Sequence, residues 1–475
     1  MTQKNDTAIL ILAFLATVAL LGGGFWLLKD PILQMLQDSE SSQVSSEGSD
    51  RGGGKYLQKR LSLGEQILVG ADTTPQKEAG VKAFGEKDFE GAIAEFEASL
   101  QDRANDPETR IYLNNAKAAN SNPIIIATSV PIGGNLNIAK EILRGVAQGQ
   151  ERINQNGGIQ GRPLQIVIVN DDNSPKIATQ LAKKLVENER IIAVIGHNSS
   201  NASIAAAPDY ESGQLVMISS SSDAKKLSEA GDYIFRTIPS IRFQADTLSR
   251  YAVNRANIKN IAICVDSGAE YSTSLKTEFT SAMFADGGRV TPIDCDLAAS
   301  NFSAETAVSQ AISSGADGLL LIPAVNRLNL AVEVTQVNQR RLPLLGSSAM
   351  YTIETLRRGQ AAVKGMVLAV PWHPDGIAEQ SFSQDAIALW GGSVNWRTAL
   401  AYDAVQAIAK GLEEGKIDRQ ALQKDLSSPN FVAEGASGAI RFLPSGDRDG
   451  AALLIKIEPG GKSGTGLDFV PLLGQ

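Results

Sequence analysis

From Pro123 onward, short, solidly apolar runs alternate with amphipathic stretches of helical period. The runs at 124–128, 164–169, 191–195 and 215–219 are rich in Ile, Val and Leu and predict strands. The stretches between them, 135–155, 175–188 and 202–211, predict helices. A second series follows, with strands at 260–265, 289–294, 317–322 and 343–346 and helices at 272–285, 304–314 and 327–339. Beyond Gly365 the pattern predicts a strand at 366–370, helices at 378–390 and 396–414, and strands at 452–457 and 467–470. Strand–helix alternation means βαβ units and parallel sheets, and runs with no polar alternation are strands covered on both faces. The chain is therefore α/β, with two doubly wound half-sheets in tandem.

Ahead of this region the pattern is different. Residues 7–28 carry no charge and as a helix would span about 33 Å, enough for a hydrocarbon core of about 30 Å. A membrane anchor over 1–30 is the expectation, against a cleaved signal peptide, whose apolar core would be shorter. No Cys follows the run, so a lipoprotein anchor is excluded. Lys4 before it and Asp30, Asp38, Glu40, Glu47 and Asp50 after it favour an inside N-terminus, with the bulk of the chain periplasmic or otherwise extracytoplasmic. Residues 38–54 are Ser, Gly and acids with almost no apolar content, and 31–54 reads as a flexible linker.

Residues 55–120 show no strand pattern. Gly80, Ala83, Phe84, Phe89, Ala92, Ile93, Phe96 and Leu100 recur at helical spacing, and Pro107 opens a further helix. Gly80, Phe89, Ala92, Phe96 and Pro107 resemble the small and aromatic positions of a tetratricopeptide repeat. A single repeat cannot stack a core alone, so the segment is either a spacer packed on the next domain or a docking surface.

Composition narrows the function. The 475 residues carry 44 Lys and Arg against 52 Asp and Glu, a net charge of −8, and an acidic chain without a basic run is a poor nucleic-acid binder. Two Cys and two His, scattered, make no zinc site, and no metal or cofactor is implied. Cys264 and Cys295 fall at the ends of neighbouring predicted strands; buried free thiols are expected, with a disulfide as the alternative outside the cytoplasm. The segment Gly460-Gly461-Lys462-Ser463 lacks the first glycine of a phosphate loop and reads as a turn. No nucleophile elbow, zinc-protease motif or paired Cys motif occurs, so no enzyme is expected. His197 reads as a structural loop residue, Trp372 and His373 as hinge residues, and Trp390 and Trp396 as core.

Five segments between a strand and the next helix are rich in small polar residues: 129–134, 198–203, 219–223, 267–271 and 347–350. Ligands of open α/β sheets bind beyond the carboxyl ends of the strands, so these loops would line a cleft between two facing sheets. Each Ser or Asn is also a good helix cap, the competing explanation for any one of them.

Residues 123–475 resemble the branched-chain amino-acid (Leu/Ile/Val) substrate-binding proteins of ABC transporters. The carrying segments are GVAQGQERINQNGGIQGRPLQIVIVNDD at 145–172, AVIGHNSS at 193–200, YESGQLVMISSSS at 210–222 and FRTIPS at 235–240. The resemblance implies the two-lobed class I periplasmic binding fold with hinge crossovers, lobe 1 over about 123–239 and 372–448 and lobe 2 over about 240–371 and 449–475. It places Ser200, Ser221 and Asp223 where that family holds a ligand carboxylate, and Tyr271 where an aromatic covers the ligand. Ser199 and Ser348, in the same loops, complete the candidate set. The family's two acidic ammonium ligands fall at Ser348 and Ile241, neither acidic; the aromatic residue of a second-lobe loop falls near Ala324–Val325, and the first-loop Trp at Leu136 or Asn137. Asp223 would also repel a carboxylate beside Ser200 and Ser221. The ligand therefore differs from a free α-amino acid in the usual pose, or Asp223, Asp266 or Glu270 takes the ammonium in a reversed one, or the cleft has lost its ligand. Two functions follow: a membrane-anchored solute-binding protein serving an ABC permease with an amino-acid-like small molecule, or an envelope protein–protein adaptor, similar in arrangement to the lipoprotein activators of peptidoglycan synthases.

Overall fold

The computed structural model describes residues 56–377 and 381–472. The apolar run at 7–28 and the linker at 31–54 lie outside the described residues. Among the described residues no helix is long and apolar enough to cross a membrane.

A two-residue strand, β1 (Leu61–Ser62), precedes three helices, α1 (Pro75–Gly85), α2 (Phe89–Asp102) and α3 (Pro107–Ala118). Thr74 and Asp106 cap α1 and α3, and a proline occupies the first turn of each, where no backbone donor is needed. The first α/β series is β2 (Ile124–Val130), α4 (Leu136–Gln155), β3 (Leu164–Asn170), α5 (Pro175–Glu187), β4 (Ile191–Ile195), α6 (Ser200–Ser212), β5 (Val216–Ser219) and β6 (Ile234–Arg236). The second is α7 (Ile241–Arg250), β7 (Asn260–Val265), α8 (Glu270–Ala285), β8 (Arg289–Thr291), α9 (Ala304–Ser313), β9 (Gly318–Ile322), α10 (Leu328–Asn338), β10 (Leu344–Gly346), α11 (Ile353–Gly359) and β11 (Val367–Val370). The chain then gives α12 (Ser381–Trp390), α13 (Trp396–Gly411), α14 (Arg419–Leu426) and the hairpin β12 (Ala433–Gly435) and β13 (Gly438–Ile440). It ends in β14 (Leu453–Pro459) and β15 (Leu467–Pro471).

Two sheets result. One has the order β1-β3-β2-β4-β5-β6, parallel except for β1, which pairs antiparallel with β3 through Leu61↔Val169. The other has the order β15-β14-β11-β10-β9-β7-β8, with β14 and β15 antiparallel. Alternation of side chains splits each strand between two cores. Ile124 and Ile126 pack toward α3, α4 and α13, while Ile125 and Ala127 pack toward α5 and α6. In the second sheet Ala262 and Cys264 face one core, Ile261 and Ile263 the other. The chain passes between sheets after β6, after β11 and before β14, and the first and third crossings meet in a parallel bridge between Pro239 and Arg448.

Residues 61–118 are built into the first lobe. The Asn115 amide donates to the Ile166 carbonyl of β3 at 2.8 Å and its oxygen accepts from Ile166 N and Gln150 Nε2. Lys77, Asp106 and Glu108 form a fully buried ionic cluster, Lys77 Nζ lying 2.8 and 2.7 Å from the two carboxylates. Burial alone would push Lys77 down, but the two acids hold it above its ordinary value. Gly80 is required where the chain gives it: a Cβ there would stand 2.6 Å from the Phe96 ring. The helical spacing read over 75–118 is present as three packed helices; a tetratricopeptide repeat is not shown by it.

Several elements depart from the sequence reading. β1 lies in a stretch read as strandless; two residues carry no periodicity, and only the β3 edge makes them a strand. Helices α7, α11 and α14 and the short strands β6, β12 and β13 were not anticipated; they are segments of ten residues or fewer whose apolar positions are completed by neighbours in space. The helix read at 378–390 is described from Ser381, and the one read at 396–414 ends at Gly411. Cys264 and Cys295 form a disulfide where free thiols were the expectation. The cause is the course of the chain after β8, which comes back along β7 so that Val265 N donates to Cys295 O at 3.0 Å.

Candidate functional site

The carboxyl ends of the parallel strands in the two sheets face a cleft of about 540 Å³, within the usual size of a small-molecule site. Each of the five polar loops contributes: Gly134; Asn198 to Asn201; Ser221 and Asp223; Gly268, Ala269 and Tyr271; Ser348 and Ala349. All six candidates, Ser199, Ser200, Ser221, Asp223, Tyr271 and Ser348, line it. Gly134 lets the first loop pass close to its neighbour, since a Cβ there would come within 2.3 Å of the Asp172 carbonyl oxygen.

The serines are not equivalent. The Ser199 hydroxyl accepts from Ala202 N at 3.2 Å and so caps α6. Ser200 Oγ accepts only a long bond from Ala224 N, 3.4 Å, and the Ser221 hydroxyl donates to the Asn198 carbonyl at 3.2 Å, leaving lone pairs for a guest. Ser200 stands in the first turn of α6, and Ser221 in the loop after β5.

Asp223 is 1% exposed. Its Oδ2 accepts from Gln244 Nε2 at 2.5 Å, and its Oδ1 has no hydrogen-bond partner among the described residues. Burial pushes the carboxyl up to about 7 against the opposing pull of Arg236, Gln244 and Arg397. The Tyr271 hydroxyl is likewise buried, and burial together with the charge of Asp223 raises its ionisation well above the ordinary phenol against the opposing pull of Ser347, Ser348 and Ala349. Asp266 also lines the cleft, its Oδ1 accepting from Gly268 N at 3.0 Å, whereas Glu270 pairs with Lys226 at 2.6 Å outside it. Asp223 and Asp266 are both buried; of the three acids considered for an ammonium, Asp223 is the one with an oxygen fully enclosed and without a partner among the described residues.

Ile241 is buried at the head of α7 and does not line the cleft; its N–H donates to the Asp223 carbonyl at 3.3 Å. Ala324 and Val325 line the cleft, and Asn137 lines a second, larger cavity of about 950 Å³ that continues from it past Asn135, Val325 and Arg397. His197 is fully buried in a network with Asp171 (2.6 Å) and Tyr210 (3.1 Å), outside the cleft lining. Burial works to raise Asp171, but the hydrogen bond and charge of His197 hold it below the ordinary carboxylate range. Trp372, at the exit of β11, donates to Ala436 O at 3.0 Å. Lys462 N and Ser463 N both donate to Asp468, closing the turn between β14 and β15.

Trp390 is buried as expected, but Trp396 lines the cleft rather than only the core, with Arg397 beside it. The start of a helix at 396 was legible from Asn395, a good cap, before an apolar period. That this N-terminus faces the cleft depends on α13 packing against α4, far away in sequence. Asn201 was missed for a similar reason: its amide donates to Gly268 O at 3.0 Å and its oxygen accepts from Glu270 N at 2.9 Å, both on the opposite lobe.

Comparison with known proteins agrees with this geometry. The model of the family described as periplasmic binding protein matches residues 123–461. The leucine-, isoleucine-, valine-, threonine- and alanine-binding protein of Pseudomonas aeruginosa is 26% identical over 328 residues, 68% of this chain and 87% of that protein. An amino acid binding protein of the same organism is 30% identical over 145 residues, spanning 30% of this chain but only 39% of its own length. The crystal structure of a leucine-binding protein from Thermotoga maritima superposes with a TM-score of 0.65 at 20% identity, covering 73% of this chain and 97% of that one. The family match leaves α1 to α3 unassigned. These relatives bind solutes and are not enzymes, and the chain, matched over most of its length, belongs to the periplasmic binding protein family.

Proposed function

We propose that the chain is the solute-binding component of an ABC-type transport system for an amino-acid-like small molecule, working outside the cytoplasm and delivering to a permease. The observation that carries this reading is the convergence of five strand-end loops on one cleft that holds Asp223 buried with a free oxygen. Ser200, Ser221 and Ser348 are the hydrogen-bonding groups for the guest, Tyr271 its cover, and Ser199 acts through the helix it caps. The Cys264–Cys295 disulfide supports an oxidising compartment. In this reading residues 7–28 tether the chain to the membrane, and the mass of the mature chain distinguishes a tether from a cleaved leader.

The test is a thermal-shift series on the full chain with the twenty common L-amino acids. A ligand that binds only the folded state raises Tm. The expected result is a rise with one or a few of them, abolished in the double variant Ser200→Ala, Tyr271→Ala, whose unliganded Tm stays near the parent's. No rise with any amino acid refutes an amino-acid ligand.

A second reading, an envelope protein–protein adaptor, draws on one observation: neither Ser348 nor Ile241 is acidic where the family's ammonium ligands stand. Affinity capture that recovers a permease and no other envelope protein refutes it.

A further inference from the structure

The cleft holds a second charged group that finds no partner in the protein. Arg397, 3% exposed, stands in the first turn of α13 and lines both the cleft and the larger cavity continuing from it. Its guanidinium makes no hydrogen bond and no ion pair among the described residues, and Nε is buried without a partner. It stacks on the Trp396 ring, 4.2 Å from the centroid, an arrangement that fixes its plane. Glu141, the acid whose charge acts most strongly on Arg397, is engaged by Arg144 at 2.7 Å and by the Thr398 hydroxyl at 2.6 Å. Burial pushes Arg397 down to about 10, so it is a cation at neutral pH.

An unpaired buried cation costs a folded chain several kcal/mol, and removing water from a guanidinium is repaid only by an anion that satisfies its fork of donors. Asp223 presents the complementary deficiency on the same cleft, a buried carboxyl with one free oxygen, and the two groups feel each other's charge. Two opposite, unpaired, buried charges on one cavity specify a guest that carries both signs.

Resting on the reading of the cleft as a ligand site, we propose that the ligand is a zwitterion turned so that its carboxylate sits on Arg397 against Trp396 and its ammonium on Asp223. Ser200 and Ser221 then face the remainder of the ligand and not its carboxylate, which removes the repulsion between Asp223 and a carboxylate placed beside them. The absence of acids at Ser348 and Ile241 follows, because the ammonium is received elsewhere.

The experiment uses the full chain and three probes of one shape: L-leucine, leucinamide, which lacks the carboxylate, and 4-methylpentanoate, which lacks the ammonium. If another amino acid raises Tm more, its own amide and deaminated acid replace these. Affinities are read by calorimetry. Expected are a loss of at least tenfold for the amino acid in Arg397→Gln, partial recovery in Arg397→Lys, and no more than a twofold change for the amide. Asp223→Asn gives the mirror result, with the deaminated acid unaffected. A circular dichroism melt of each variant confirms folding. If Arg397→Gln leaves amino-acid affinity unchanged, or weakens amino acid and amide equally, Arg397 is a structural residue and the proposal fails while the binding reading stands. If the parent binds none of the amino acids, amides or acids, the binding reading fails and takes the proposal with it.

Discussion

Asp223 shows what burial does to a single acid. Water that would solvate its charge is excluded, and the charges of Arg236 and Arg397 and the bond from Gln244 do not fully compensate, so the proton is held up to about 7. In the unfolded chain the same group loses its proton near pH 4. Between those limits the folded state binds more protons than the unfolded one, so this residue makes stability fall as pH rises from about 4 to about 7. Melting curves of the parent and Asp223→Asn at pH 5 and pH 8 check the sign. The parent is expected to lose more Tm than the variant over that interval, and equal losses refute a raised Asp223. In the proposed pose an ammonium at Oδ1 expels this proton, so a ligand that supplies one is expected to shift the titration as well.

At the scale of elements, the helices ahead of the family domain pack through an apolar core that includes Phe84, Phe96 and Ile111, and they enclose the buried Lys77 cluster. Glu108 accepts from Leu68 N (2.7 Å), Val69 N and the Tyr112 hydroxyl, so one carboxylate joins the extended stretch after β1 to α3. Lys77→Ala strands Asp106 and Glu108 without a cation and is expected to cost about 3–5 kcal/mol. Lys117→Ala, which breaks a half-exposed pair with Glu97, is expected to cost under about 1 kcal/mol. Urea unfolding of the two variants measures both, and comparable losses would show that burial does not set the cost. The long elements were legible because Ile124 to Val130 or Leu136 to Gln155 repeat their pattern over several turns or pairs. β1 and α14 were not, because their burial is decided by β3 and β5, which lie far along the chain. The cleft was legible in its serines, whose type and position before helices speak for themselves. Arg397 was not, since an arginine in a helix reads as solvated until the fold surrounds it.

At the scale of the whole molecule, the two lobes are held together across the cleft by Asn201, Lys225 and Lys226. Asn201 makes its two bonds to Gly268 and Glu270; the lysines pair with Glu278 and Glu270. Exposed lysine pairs contribute little, whereas hydrogen bonds between protein groups contribute about 0.5–1.5 kcal/mol each. Such bonds bias the equilibrium between closed and open arrangements, and a ligand shifts it only by its preference for one of them. Asn201→Ala is therefore expected to weaken ligand affinity by about tenfold, chiefly through faster dissociation, with Tm nearly unchanged. Stopped-flow release kinetics check this, and an unaltered off-rate would show that the latch does not hold the closed form. Another clasp works from the back. Arg60, just before β1, binds Asp172 at 2.6 Å, and the same carboxylate accepts from Gly133 N at 2.8 Å in the cleft's first loop. The limits of recognisable kinship, which begin at Pro123, are thus not the limits of the structure that shapes the cleft. A fragment cut to match its relatives would keep every residue that lines the cleft and lose the buttress that holds one wall of it upright.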